Sequence, residues 1–376
     1  MPIPDHVLKT DLFTSEKSGN AFDALRVSAA LAVLYSHSFA LYGLAEPVPL
    51  AGQALGSLAV ALFFSVSGFL ICQSWERDPH LLRYAARRAL RIFPGLWVMV
   101  LLTALVVGAL YTTASLSSYF GSASPWRYIV TGGLALGSPK LLGVFESNPF
   151  AFATNGSLWT LKYEIIMYVL LGILGRYLPR ATLKAKCTLA FVFCALLWLF
   201  FAMHGYQKVA LPFVWRLGVE VYFDRMAYLG AFFFGGACAH LYFKRIYLSR
   251  ALALILVVPL PFIDNAVLMM VMLWFVVPYV MLVAAFKAPA VCRKMNGFDY
   301  SYGIYIYAFP VQQIVSQMGV ERQWSWGTVL VVSTLATILL AALSWNYVEK
   351  PALRLKRFIS SIGGRAKTAL EAEPVR

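Results

Sequence analysis

Charge is scarce in this chain. Of its 376 residues 13% are charged and 60% hydrophobic, against roughly a quarter charged and half apolar in soluble domains. That balance excludes a water-soluble globular protein. Cysteine is sparse as well: Cys72, Cys187, Cys194, Cys238 and Cys292 form no CxxC pair and lie mostly within apolar runs, which argues against a disulfide framework. The five histidines lack metal-ligand spacing, so no metal site is expected. Glycine and proline, at 26 and 18, show no collagen-like period and no low-complexity excess. Missing too are a GxSxG elbow, a GxxxxGK[ST] phosphate loop and a GxGxxG turn, and with them several hydrolase and nucleotide-binding classes.

What the chain has is apolar length. Stretches of roughly 20 residues, enough to cross a bilayer, run near 24–43, 51–74, 92–113, 157–175, 187–203, 226–243, 251–263, 266–286, 299–318 and 327–347. The expected fold is therefore all-α, a polytopic integral membrane protein of about ten transmembrane helices. The seventh is short and ends in Pro259, Pro261 and Asp264-Asn265, so it forms a tight hairpin with the eighth. The segment 114–156 is too interrupted to span and reads as an interfacial or re-entrant piece. A cytoplasmic N-terminal segment over 1–20, a membrane domain over 21–358 and a flexible cytoplasmic tail over 359–376 complete the organisation. The first helix lacks a cleavage site and reads as an anchor.

The formal charge of +15 does not point to nucleic acid, because the Lys and Arg sit at the boundaries of apolar runs and not on a water-facing module. It sets topology. With both termini cytoplasmic, the inside connections hold 25 Lys and Arg and the outside ones six, with Lys162 inside a span. The positive-inside rule selects that orientation.

Ionisable groups at bilayer depth are functional candidates, since each costs a few kcal/mol to place there. His37 lies in the first span and Glu164 in the fourth, which enters from the opposite side, so both are expected in the outward half at similar depth. Arg26 and His37 are eleven residues apart, roughly three full turns, so they share a helix face about 16 Å apart along the axis, close to the length of a pantetheine arm. Arg88 and Arg91, three apart in the run Arg83 to Arg91, point the same way and can fork onto a phosphate or pyrophosphate. Anchoring to lipid headgroups is the plainer reading of these arginines. His240, His204, His6 and His80 fall at helix ends or in polar loops, which leaves His37 as the candidate base.

These residues sit in a series of motifs: Phe22-Asp23-Ala24-Leu25-Arg26 followed by His37; Phe63-Phe64-Ser65-Val66-Ser67-Gly68-Phe69-Leu70; Arg88-x-x-Arg91; Gly156 to Glu164, reading GSLWTLKYE; Ser301-Tyr302-Gly303-Ile304-Tyr305-Ile306; and Val348-Glu349-Lys350-Pro351. In that order, over nearly the whole chain, they resemble the membrane-bound acyltransferase-3 family, whose members move acetyl or similar groups onto sugars and other surface molecules. The resemblance implies that Arg26, Arg88 and Arg91 hold acyl-CoA from the cytoplasm. It makes His37 the essential base or acyl-accepting residue and Glu164 its acidic companion. The family often carries a second histidine where this chain reads Tyr307-Ala308-Phe309-Pro310, and many relatives add an esterase-like domain that is absent here.

A hydroxyl attacking a thioester needs its proton removed, which suits a histidine. Ser67, Ser157, Trp159, Tyr302 and Tyr305 are candidate lining residues. The expectation is an O-acyltransferase of the bacterial cytoplasmic membrane that uses acetyl-CoA as donor and a cell-surface or lipid-linked carbohydrate acceptor, with membrane lipids as its surroundings. Succinyl or another acyl group, or a lipid or small-metabolite acceptor, fits the sequence equally. The alternative of a different class is a proton- or anion-coupled transporter relaying through Arg26, His37 and Glu164. Acceptor choice is assigned to the outer segments 114–156 and 204–225, with Trp126, Trp215, Glu220 and Asp224.

Overall fold

The computed structural model describes residues 20–359 apart from 206–219 and the positions 49, 51, 138, 152, 178, 179, 294–296 and 298. The expected N-terminal segment, the tail and most of the connection 204–225 lie outside the described residues. Within them, every regular element is helical: α1 (Phe22–Leu41), α2 (Leu55–Arg77), α3 (Leu81–Tyr111), α4 (Leu116–Gly121), α5 (Ser124–Gly133), α6 (Gly156–Arg176), α7 (Arg180–His204), α8 (Phe223–Leu241), α9 (Arg250–Val257), α10 (Ala266–Phe286), α11 (Ser301–Glu321) and α12 (Trp326–Ile359).

Seven of these, α1, α2, α3, α6, α7, α10 and α12, are long and apolar enough to cross a membrane, and the chain is an integral membrane protein. The other three expected spans fall on α8, α9 and α11. Helix α9 has 8 residues, and α8 and α11, at 19 and 21, are less apolar.

The low hydropathy of α11 has a physical reason. This helix is buried along almost its whole length, so its polar side chains meet protein. Gln312 donates to the Leu34 carbonyl at 2.9 Å, Gln313 to the carbonyls of Phe150 and Ala153 at 2.8 and 2.9 Å, and Ser316 to that of Leu41 at 2.7 Å. Away from water such groups must be bonded internally, and here each amide or hydroxyl ties a neighbouring segment to the central helix.

Helices α1 and α11 run side by side in the same direction. Arg26 meets Asp299 just ahead of α11, His37 meets Phe309 midway, and Ser316 meets Leu41 at the far end. Helix α6 runs the other way: Gly156, at its start, abuts Phe309, and the Thr160 hydroxyl meets the Tyr305 hydroxyl one turn nearer Asp299.

On the other side, α2 and α8 touch backbone to backbone. A Cβ added at Gly68 would lie 1.8 Å from the Phe233 carbonyl oxygen, and one at Gly236 2.0 Å from that of Ser65. Small residues permit this approach, which dispersion then stabilises. The contact fixes α2 so that Ser67, beside Gly68, faces inward.

Two helices widen into π turns, α3 over Leu102–Val107 and α12 over Trp345–Glu349. In α12, Pro351 cannot donate to the carbonyl one turn back, and the wider turn ahead of it delivers the buried Glu349 to Arg91. The interrupted stretch after α5 folds back into the bundle, where Asn148, Thr154 and Asn155 are buried. Asn155 donates to the Ile306 carbonyl at 3.0 Å, and Asn148 to the Gln313 carbonyl and side chain at 2.9 and 2.7 Å.

Candidate active site

A cavity of about 280 Å³ opens among α1, α2, α3, α6, α11 and α12. One end is cationic, with Arg26, Arg88, Arg91 and Lys356. The other is polar and neutral except for one carboxylate, with Ser67, Thr160, Tyr305 and Glu164.

The run Arg83 to Arg91 is sorted by its partners. Arg83 and Arg87 close on Asp78, with shortest contacts of 2.6 Å each. Arg83 foremost, against the effect of burial and with help from Arg87, holds the Asp78 carboxyl well below the usual carboxylate range. Arg91 donates to Asp299 and, at 3.4 Å, to Glu349, and its guanidinium lies 5.5 Å from the Tyr302 ring centroid. Arg26 donates to Asp299 at 2.9 Å. Arg88 lines the cavity with its Nε buried and unpartnered, and no acid pairs with it among the described residues. Arg88 and Arg91 are both on the cavity wall, as their spacing predicts, but Arg91 is anchored and Arg88 is free.

At the other end Glu164 accepts from Ser67 Oγ at 3.3 Å and from the Tyr168 hydroxyl. Tyr305 donates to the Ser157 carbonyl at 3.0 Å, and its hydroxyl is 2.7 Å from Thr160 Oγ1. Tyr302 donates to the Ile92 carbonyl at 2.7 Å. Ser67, Tyr302 and Tyr305 line the cavity. Ser157 and Trp159 do not. Ser157 is buried with its Oγ unpartnered, and Trp159 turns to the opposite side, under the Arg225 guanidinium at 4.9 Å.

His37 stands outside this cavity. Half-buried on α1, its ring meets Phe309 edge-on at 5.3 Å, and its Nδ1 is buried without a partner. Phe309 belongs to the Tyr307-Ala308-Phe309-Pro310 stretch, so an aromatic ring fills the space beside His37.

The expected pairing of Glu164 with His37 is not formed. His37 lies at the level of Gly156, through Phe309, whereas Glu164 is eight residues further along α6, roughly 12 Å by helical rise. The two groups are at different depths. His240 also has a firmer place than a solvated helix end, since its Nε2 is 2.8 Å from a Glu76 carboxylate oxygen.

Asp299, Tyr168, Thr160 and Lys356 were not legible as site residues. Asp299 carries a usable signal after the fact, a lone acid directly ahead of Ser301-Tyr302-Gly303, but its partners are 273 and 208 residues away. No group of three or more His, Cys, Asp or Glu among the described residues could hold a metal.

Among the described residues, an all-helical bundle thus encloses a cavity with arginines at one end and a carboxylate among hydroxyls at the other. The chain belongs to the acyltransferase-3 family, whose profile, described as an acyltransferase domain, matches residues 20–345. It is 30% identical over 345 residues to an O-acetyl transferase of Shigella phage Sf6, covering 88% of this chain and 95% of that one. It is 28% identical over 361 residues to Nodulation protein 10 of Rhizobium leguminosarum bv. viciae, covering 90% and 94%. No solved structure matches it. The protein is an O-acyltransferase.

Proposed function

We propose that the protein transfers acetyl from acetyl-CoA to a hydroxyl of a cell-surface or lipid-linked polysaccharide or oligosaccharide, in the bacterial cytoplasmic membrane. The observation that carries this reading is the Arg88 guanidinium, without an acid partner among the described residues, on the wall of a cavity whose other arginines are ion-paired. An unpaired buried cation favours an anionic ligand, and a planar guanidinium matches phosphate oxygens. The CoA phosphates occupy this end, with Arg26 and Arg91 held in place by Asp299 and with Lys356 beside them.

The pantetheine arm runs inward along α1, past Ser67 and Tyr305. There the acceptor hydroxyl, entering from the far end of the bundle, meets the thioester beyond Tyr305. His37 takes the hydroxyl proton as the oxygen attacks the carbonyl carbon. The C–S bond breaks, and the imidazolium returns the proton to the departing thiolate of CoA. Glu164, held by Ser67 and Tyr168, fixes the polar wall beside the arm; it does not orient the His37 ring.

Counted for an even number of crossings with both termini cytoplasmic, the 25-to-six distribution of Lys and Arg supports placing the arginine end inside. The test is incubation of the purified protein with radiolabelled acetyl-CoA, with and without carbohydrate. Release of CoA with label on carbohydrate supports the reading. Failure to bind or turn over any acyl-CoA would overturn it.

A further inference from the structure

At the end of the bundle that carries Arg88, a second cavity of about 530 Å³ lies between the close of α2, the first turns of α7 and the close of α8 with the turn that follows. It shares no lining residue with the acyl-donor cavity. Four cations line it, Arg77, Lys184, Lys244 and Arg245, and none is ion-paired among the described residues. The one acid, Glu76, is engaged by His240 Nε2 at 2.8 Å. The His240 side chain is 9% exposed, is held edge-on against Phe69 at 5.0 Å, and leaves its Nδ1 buried without a partner. Such a site carries an excess of about three positive charges and an unused polar atom in its wall, which fits a phosphate.

Next to it is a crevice of opposite character. It measures about 400 Å³ and is almost wholly apolar, walled by Phe191 of α7, Cys238 of α8, and Met272, Phe275 and Leu282 of α10. Phe275 is 61% exposed, so the crevice faces the lipid side of the bundle. Tyr242 lines both spaces, with the Lys184 ammonium 5.6 Å from its ring centroid and its hydroxyl 3.3 Å from Thr188 Oγ1.

Cations alone would be ordinary juxtamembrane anchors, and an apolar groove alone would be ordinary lipid-facing surface. Their junction at one tyrosine has the shape of a single molecule with a charged head and an oily tail. We infer that this is a specific site for an anionic glycerophospholipid: the phosphate sits among Arg77, Lys184, Lys244 and Arg245, and one acyl chain lies in the crevice between α7 and α10, with Tyr242 packed where head meets tail. The inference does not depend on the acyl-donor reading of the first cavity.

The test is native mass spectrometry of the delipidated full chain, titrated with phosphatidylglycerol, with phosphatidylcholine of the same chains, and with glycerol 3-phosphate. One phosphatidylglycerol is expected to bind about tenfold or more tightly than phosphatidylcholine, and K184Q/R245Q, at exposed positions, to remove that preference, since each cation near a phosphate contributes about 1 kcal/mol. Glycerol 3-phosphate at the same concentration should not displace the lipid, because it lacks the tail. A second variant, Phe275→Asp, places a charge on the crevice wall and is expected to weaken phosphatidylglycerol binding while leaving acyl-CoA binding unchanged. Equal binding of both lipids, or full retention of the preference in K184Q/R245Q, would overturn the site; displacement by glycerol 3-phosphate would show a soluble-phosphate pocket and overturn the lipid assignment.

Discussion

The Arg91 guanidinium donates to the carboxylate of Asp299, 208 residues further along the chain, and Arg26 closes on the same carboxylate from α1. One acid thus holds two cations from different helices on the wall of the cavity, and a third, Arg88, has no acid partner among the described residues.

Replacing Asp299 by Asn leaves Arg26 without its counter-charge and Arg91 with Glu349 alone. Removing one member of a buried ion pair destabilises by about 3–5 kcal/mol, so we expect Asp299→Asn to lower the thermal unfolding midpoint and to raise KM for acyl-CoA more than it lowers kcat. The effect has a pH signature. Burial pushes the Asp299 carboxyl up, but Arg91, then Arg26, with hydrogen bonds from Ser301, outweigh it and hold it at about 2. A folded-state value below the unfolded one gives stabilisation that is complete above the ordinary carboxylate range and is lost as pH falls toward the folded value. The difference in midpoint between wild type and Asp299→Asn should therefore be constant from about pH 8 to 5 and shrink below about pH 4. A difference that grows on acidification contradicts the clamp.

Arg88→Ala removes the free cation. Each lost charge-assisted contact is worth roughly 1.5–3 kcal/mol, which corresponds to a ten- to hundredfold weaker CoA in calorimetric titration. Unchanged affinity returns Arg88 to a lipid-anchor role.

His37 and Glu164 are separable by kinetics. His37→Ala should reduce transfer by two to four orders of magnitude with CoA affinity intact, the usual effect of losing a general base. Glu164→Gln keeps an acceptor for Ser67 and Tyr168 and is expected to act more on KM for the donor. Identical defects in the two variants would restore the direct pairing that the structure lacks.

The backbone contact of α2 with α8 predicts that Gly68→Val abolishes a monodisperse peak in size-exclusion chromatography, since the new Cβ would sit 1.8 Å from the Phe233 oxygen. Gly121→Ala, with nothing within 4 Å of its added Cβ, should be tolerated.

The helices were legible because lipid demands long apolar runs, and Arg88 and Arg91 because a three-residue spacing fixes a shared direction. Asp299 was not: its meaning comes from partners hundreds of residues away. The depth of Glu164 was misjudged because counting from helix starts ignores how α6 is set against α11, where Gly156 fits beneath the Phe309 ring. Nor does hydropathy reveal that α11 is the central helix, since that depends on the carbonyls of distant segments that Gln312, Gln313 and Ser316 reach. Trp159 shows the converse error, a motif residue that faces away from the cavity its neighbours line.

The most direct test of the account is sidedness. In sealed vesicles of verified orientation, transfer should occur when acetyl-CoA is supplied on the face that carries Arg88 and the Lys- and Arg-rich connections, and should fail when it is supplied only on the other face. Equal activity from both faces, or activity only from the face opposite Arg88, would contradict a donor held by the arginine end of the cavity.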